Sequence, residues 1–309
     1  MSTLPVFDTP TTVTPGIDAA WVARTVEIAL DEDLGPAPGR DVTSQATIPP
    51  SGTGVAELVA REDGVLAGLV VVREVLDQVA TRLALPAPGV TFHAQDGDAV
   101  TAGQVVASLD GRTQVLLVAE RTMLNLASRA SGVATATRAF VRELEGTGAQ
   151  VLDTRKTTPG LRALQKYAVR AGGGTNKRMG LYDAAMVKDN HVVAAGSVAA
   201  AVRAVREMFP DVPVQVEADT TAQALEALAS GADFLLLDNM EPDRLAEAVA
   251  AVREREGKDG VPAHVELEAT GNLTLEKART VAATGVDFLS VGALTHSAPI
   301  LDLALDLRA

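Results

Sequence analysis

The sequence contains no cysteine, which excludes disulfides, thiolate metal sites and a cysteine nucleophile. Of its four histidines, His191 and His296 are too isolated to argue a metal site, and orientation or loop packing is their expected role. No apolar run is long enough to cross a bilayer. The longest, GVLAGLVVV from Gly64 to Val72, falls well short of the roughly 20 residues required. Positive charge is scarce: 27 lysines and arginines against 40 acids leave a formal net charge of −13. That balance argues against a nucleic-acid or anionic-membrane partner. The opening MSTLPVFDTPTTVTPGID has neither a basic start nor an apolar stretch, so no secretory signal and a cytoplasmic protein are expected. Lysine is missing altogether from AQDGDAVTAGQVVASLDG (94–111). This stretch has the turn-and-strand pattern of half a biotinyl or lipoyl hammerhead, and without a lysine to modify it reads as a β-rich structural element, not a carrier.

What is present divides into two textures. A helical pattern runs from Ile17 to Leu34, followed by a Gly/Pro-rich turn, short alternating strands over 53–110 and a helix near 69–82. After about residue 113 short apolar strands alternate with amphipathic helices. The strands predicted are 149–155, 184–188, 212–217, 233–238, 263–268 and 286–292, and the helices 160–170, 197–208, 220–230, 241–255 and 274–284. Regular strand–helix alternation implies a parallel sheet. Arg155–Lys156, Lys188, Glu217, Asp238 and Glu268 each fall where an apolar run stops. A closed α/β barrel gathers such ends on one face, whereas an open doubly wound sheet concentrates function at one crevice. Loaded ends on so many strands favour the barrel.

Residues 153–191 carry eight cations against three acids, a local +5 in an acidic chain. Arg162, Lys166 and Arg170 read as an ordinary solvated helix face. Arg155, Lys156 and Lys188 end strands, and Lys177 and Arg178 follow three glycines (GGGTNKRMG, 172–180) that let a loop fold back over the mouth. Guanidinium forks match carboxylates and phosphates, and lysines act as point charges. Glu217 and Asp238, on later strands, suit ribose hydroxyls or a magnesium that keeps waters and bridges to phosphates. An anion wall opposite a metal-bound sugar phosphate is the chemistry of phosphoribosyl transfer, although composition alone does not name the reaction.

The segments AERTMLNLASRASGVATAT (119–137), DTRKTTPGLRALQKYAVRAGGGTNKRMGLYDAAMVKDNH (153–191), LLLDNM (235–240) and VGALTHS (291–297) closely resemble the quinolinate phosphoribosyltransferases. The resemblance runs from the first helix to the C-terminus. It implies an N-terminal α/β sandwich over 1–121, hammerhead-like and joined by the tail 297–309, and a catalytic open α/β barrel of about six parallel strands over 122–296. It implies transfer of phosphoribosyl from phosphoribosyl pyrophosphate to quinolinate with magnesium, giving nicotinate mononucleotide, pyrophosphate and carbon dioxide. It further implies a homodimer with shared active sites, with assembly into hexamers left open. By resemblance, quinolinate is held by Thr154, Arg155, Lys177, Arg178 and Lys188, with Arg121 supplied by the partner subunit. Phosphoribosyl pyrophosphate is met by Lys156, Glu217 and Asp238, with the loops Thr270–Gly271–Asn272 and Val291–Gly292–Ala293 near the phosphates. Lys156, Glu217 and Asp238 are the catalytic candidates, and Glu217 and Asp238 the magnesium candidates.

Two positions depart from the family pattern: Lys177 stands where a histidine is usual, and Asn272 replaces a glycine of a Ser-Gly-Gly loop. Read without the resemblance, Arg121 is as well an exposed helix charge, Glu268 is either a direct contact or a partner of the lysines, and Asn190 belongs to a loop. Two other functions stay open on the residues alone. One is a barrel lyase forming a Schiff base at Lys188. The other is a substrate-drifted relative of the same fold, such as the molybdenum-transport-associated homologues.

Overall fold

The computed structural model describes residues 16–258 and 260–308. The reading of the first fifteen residues as free of a secretory signal lies outside them. The chain forms two compact units, each assembled from separated segments.

One unit comprises most of the chain before Arg138, the segment Thr157–Gly173 and the C-terminal residues from Leu294. It opens with α1 (Ala19–Leu34), whose first turn is capped by Asp18, and whose Val22, Val26 and Leu30 recur at helical spacing and are buried. After α2 (Val42–Thr47) come β1 (Thr53–Ala60), β2 (Gly64–Val65), α3 (Leu69–Leu83), β3 (Gly89–Phe92), β4 (Ala99–Val100) and β5 (Val105–Arg112). A four-stranded antiparallel sheet has the order β12-β1-β5-β3, where β12 is the C-terminal Leu303–Arg308. The last strand of the chain thus pairs with the first strand of this unit. Asp96 accepts from the N–H groups of Gly68 and Leu69 at the start of α3 and from the Tyr167 hydroxyl at 2.6 Å, joining three segments at one carboxylate.

The long helix α4 (Thr113–Glu143) follows, 31 residues where the texture alone shows only a short helical run. A Cβ at its Gly132 would lie 1.9 Å from the Pro299 carbonyl, so only glycine lets the C-terminal segment cross there. In α5 (Arg162–Ala171) the cationic row is not a solvated face: Lys166 is only 3% exposed, and Arg162 and Arg170 are half-buried. Leu164, Gln165 and Lys166 are all buried, and three consecutive residues sweep about 200° of a helix. The helix is therefore enclosed on most sides, which amphipathic reasoning does not anticipate.

The other unit holds the parallel sheet, built from β6 (Gln150–Leu152), β7 (Ala185–Val187), β8 (Val214–Ala218), β9 (Phe234–Asp238), β10 (Glu266–Thr270) and β11 (Phe288–Ser290). Between them run α6 (Asp189–Ala195), α7 (Val198–Met208), α8 (Thr221–Ala229), α9 (Pro242–Arg255) and α10 (Leu275–Ala282), and α11 (Ala293–His296) comes after β11. Ser197 and Thr220 cap α7 and α8 through their side chains, and Pro242 opens α9. The strand order β6-β11-β10-β9-β8-β7 brings the last strand beside the first and leaves β6 and β7 as edges: an open barrel of six strands.

Alternation along each strand decides what faces inward. In β8 the apolar Val214, Val216 and Ala218 alternate with Gln215 and Glu217, and in β10 Leu267 and Ala269 alternate with Glu266, Glu268 and Thr270. Register pairs Glu217 and Glu268 with the same Leu236, and Thr270 with Asp238. Below them Leu152, Phe234 and Phe288 plug the interior, the two rings 6.0 Å apart. The barrel is thus apolar at its base and ionic towards its carboxyl-end mouth.

At the opposite end Arg253 bonds Glu256 at 2.6 Å and Asp287 at 2.7 Å, which ties down the connection into β10. Burial, with Asp287 adding to it, pushes the nearby Glu266 up to about 7. A carboxyl whose pKa is higher folded than unfolded favours the fold below its unfolded value of 4.5 and loses that contribution as pH rises through 7. Glu266→Gln should therefore raise stability at pH 8 by on the order of 1 kcal/mol, with little effect at pH 5. Denaturant titrations at the two pH values check it; equal effects at both would mean that Glu266 ionises normally.

Candidate active site

Cations from three segments meet at the mouth. Arg155 and Lys156 follow β6, with the Lys156 N–H donating to the Thr154 hydroxyl at 3.1 Å; Arg155 and Thr154 are half-buried and Lys156 is exposed. Lys188 follows β7 directly and pairs with Glu217 across the neighbouring strand. The third segment is the loop after the glycines. Gly172 sits where a Cβ would lie 2.5 Å from the Ala134 carbonyl, and Gly173 turns at φ +92°. Gly174 and Thr175 are buried, and Thr175 bridges in parallel to Leu152. The glycines therefore serve close packing and a turn, not a flap over the mouth. What aims the cations is Asp153, fully buried at the end of β6, which accepts from the Asn176 amide at 2.7 Å and the Lys177 N–H at 2.9 Å.

Beyond that anchor, Arg178 donates to the Ala184 carbonyl at 3.0 Å, and burial and Arg155 lower its pKa. Two guanidinium groups thus lie in one another's field, and such forks match carboxylates and phosphates. Lys177 turns inward. Its ammonium lies 2.6 Å from Glu268 Oε1, and its side chain is 9% exposed. Glu268 is not at a strand end: β10 continues to Thr270, so this carboxylate lies deeper than the mouth and is fully buried. Of its two possible roles, the geometry shows the partner of a lysine.

Opposite stand Glu217 and Asp238. Burial first, then Glu217 and Asp219, raise the Asp238 pKa, while Lys188 and Lys156 oppose the rise. Beside them, residues just past the β9 and β10 ends take left-handed backbone: Asn239 at φ 52°, and Gly271 and Asn272 at 100° and 43°. A Cβ on Gly271 would lie 2.9 Å from the Asn239 Cα. Asn272 keeps the conformation a glycine would supply, since asparagine tolerates it. Just past β11 the Val291 N–H donates to the Leu152 carbonyl at 3.0 Å, with half-buried Gly292 and exposed Ala293 following.

Comparison with known proteins decides what this arrangement belongs to. The family model for the C-terminal domain of quinolinate phosphoribosyl transferase matches residues 133–306, and that for its N-terminal domain matches 41–131. A relative named nicotinate-nucleotide pyrophosphorylase [carboxylating] from Mycobacterium leprae is 47% identical over 92% of this chain and 96% of its own. The chain belongs to the quinolinate phosphoribosyl transferase family. A Bacillus subtilis protein, named a probable enzyme of the same kind, is 41% identical over 89% of each chain. The solved nicotinate-nucleotide pyrophosphorylase of Francisella tularensis superposes with a TM-score of 0.84 at 34% identity, covering 95% of this chain and 98% of that one.

In this quinolinate phosphoribosyl transferase family member, the structure brings Thr154, Arg155, Lys156, Arg178, Lys188, Glu217, Asp238 and Thr270 to the carboxyl end of one barrel, with Lys177 beneath. Arg121 belongs to the other unit, exposed on α4, where it lines a groove of about 600 Å³ with Ile28, Asn125 and Ile300. Asn190 lies in the first turn of α6, not in a loop, and His191 accepts from the Lys188 N–H at 3.0 Å to start that helix. His296 bonds only locally to Ser297. Sequence reasoning missed Asp153, Asn176 and Gln215 as site residues. Gln215 had a legible signal, a polar residue two before Glu217 in an apolar strand. Asp153 had none, because its role depends on a loop twenty residues later.

Proposed function

We infer that the protein transfers the phosphoribosyl group of phosphoribosyl pyrophosphate to quinolinate with decarboxylation, yielding nicotinate mononucleotide, pyrophosphate and carbon dioxide in NAD biosynthesis. The observation that carries this reading is the convergence of Arg155, Arg178 and Lys188 on one rim that faces Glu217 and Asp238. Two adjacent carboxylates need several preset cations to replace their hydration, and the three side chains, with Thr154, form that wall. The ring nitrogen attacks the anomeric carbon as its bond to pyrophosphate breaks. Glu217 and Asp238 face the positive charge that develops on the ribose, and Lys156 faces the departing phosphates. The loops at Thr270–Asn272 and Val291–Ala293 offer backbone to the remaining phosphates. Once the nitrogen is alkylated, the bond from C2 to its carboxylate breaks. The electron pair stays on C2 beside the cationic nitrogen, and C2 takes a proton, so decarboxylation needs no protein nucleophile. A Schiff base at Lys188 is not favoured, because Glu217 holds its ammonium.

Magnesium is part of this proposal. Among the described residues no cluster of three or more His, Asp or Glu could hold a metal by itself. Glu217 and Asp238, two facing carboxylates, would hold a magnesium ion that also meets the substrate's phosphates. When bound it offsets charge on the pyrophosphate.

The same reading makes the active unit a homodimer in the cytoplasm, with hexamers an extension of that dimer. No helix among the described residues is long and apolar enough to cross a membrane. Beside the mouth α6 has no buried residue, and Leu181, Tyr182 and Val193 are 74–81% exposed. The groove around Arg121 on a second copy is the proposed cover. Glu217→Gln and Asp238→Asn test the catalytic assignment. Each should lower kcat by roughly 10²–10³-fold with a much smaller change in the quinolinate KM. An unchanged kcat in both variants would remove these carboxylates from the chemistry.

A further inference from the structure

Two carboxylates are fully buried among the described residues, Asp153 and Glu268. Asp153 fixes backbone and amide groups of the cation loop. Glu268 does something different. Its Oε1 accepts from the Lys177 ammonium at 2.6 Å and its Oε2 from the Gln215 amide at 2.7 Å, so both oxygens are committed and the carboxylate cannot turn. Gln215 is itself 5% exposed, on β8 directly below Glu217. The Lys177 side chain is 9% exposed and Glu268 is fully buried, so bulk solvent screens the pair little.

The groups that act on the Lys177 ammonium come from three directions: Glu268 on β10, Arg178 on its own loop and Lys188 after β7. Arg178 in turn faces Arg155 after β6, with Asp183 and Glu268 as its acids. Burial, Arg178 and Lys188 lower the Lys177 pKa, and the Glu268 carboxylate at 2.6 Å opposes them.

We propose that Glu268 is a positioning residue for quinolinate binding: clamped by Gln215, it holds the charged Lys177 ammonium as a second tier of positive charge directly beneath Arg178. The proposal rests on the anion-wall reading of the mouth. Without Glu268, Lys177 either loses its proton or swings out of its buried place, and in both cases the wall above loses its support. A merely structural ion pair predicts something else, since replacing both partners by neutral groups of similar shape is then harmless.

Glu268→Gln, the double variant Lys177→Met/Glu268→Gln and Arg155→Lys separate these cases, with thermal unfolding, calorimetric quinolinate binding and steady-state kinetics on each. In Glu268→Gln the quinolinate KM and Kd should rise about tenfold or more at pH 8 and less at pH 6, with a smaller change in kcat and a phosphoribosyl pyrophosphate KM within about twofold. The double variant should regain thermal stability and stay weak for quinolinate at every pH. It carries the test alone if the single variant fails to fold. Wild-type quinolinate affinity in folded Glu268→Gln at both pH values overturns the proposal, as does recovery of affinity together with stability in the double variant. Arg155→Lys should bind quinolinate weakly at all pH values. Wild-type binding there would overturn the wall itself, whatever Glu268 does.

Discussion

Arg121→Ala and Arg155→Ala should each retain about 1% or less of wild-type kcat/KM, because on the proposed reading either change leaves a substrate carboxylate without its paired cation, a loss of roughly 2–5 kcal/mol. Mixed in equal amounts and allowed to exchange subunits, the two inactive proteins should recover about a quarter of wild-type activity. In the proposed homodimer half the dimers would then be mixed, and one site of each mixed dimer would have both arginines. The expectation comes from placement. Arg155 ends a barrel strand, while Arg121 is exposed on a helix of the other compact unit, beside exposed Ile28 and Ile300. The proposed homodimer would use a cation so placed to complete a neighbour's site. No recovery after demonstrated exchange would return Arg121 to an ordinary helix charge.

The second large effect is discrimination by one carboxylate. Nicotinate lacks the group at C2, so binding it leaves part of the wall formed by Arg155, Arg178 and Lys188 unmatched. A site with preset polar partners rejects the analogue that lacks the group by about 10⁴-fold or more. The kcat/KM for quinolinate should exceed that for nicotinate by at least about 10³-fold, and parallel progress curves with the two acids measure it. Comparable turnover would mean that the wall recognises the ring and a single carboxylate only.

Much of this was legible in the chain before any coordinates, for physical reasons that differ by element. Five of the six parallel strands announce themselves as apolar runs ending in charge, since outward residues such as Val214, Val216 and Leu267 must pack against helices while Glu217 and Asp238 need solvent or substrate. Ser197 caps α7 through its side chain, a local feature that a serine just before a helical run makes legible. What failed was whatever depends on distant packing. Lys166 looks like a surface cation by helical period and is buried because the chain wraps around α5. Glu268 looks like a rim residue because its apolar run stops there, yet β10 continues for two more residues. The three glycines before the cation loop looked like a flap, and a close approach to α4 together with a left-handed turn explains Gly172 and Gly173 instead. Asn272 was legible as a departure from a glycine loop but not as one that keeps a left-handed backbone, which its φ of 43° shows.

The central claim is that one barrel mouth couples ribosyl transfer to loss of the carboxylate next to the ring nitrogen. Quinolinate labelled with ¹³C in its C2 carboxyl group, incubated with the protein, phosphoribosyl pyrophosphate and magnesium, tests this in a single sample. Labelled carbon dioxide, nicotinate mononucleotide and pyrophosphate should accumulate in equal amounts, and none should form when phosphoribosyl pyrophosphate is omitted. A nucleotide that keeps the label, or labelled carbon dioxide released without nucleotide, would contradict it.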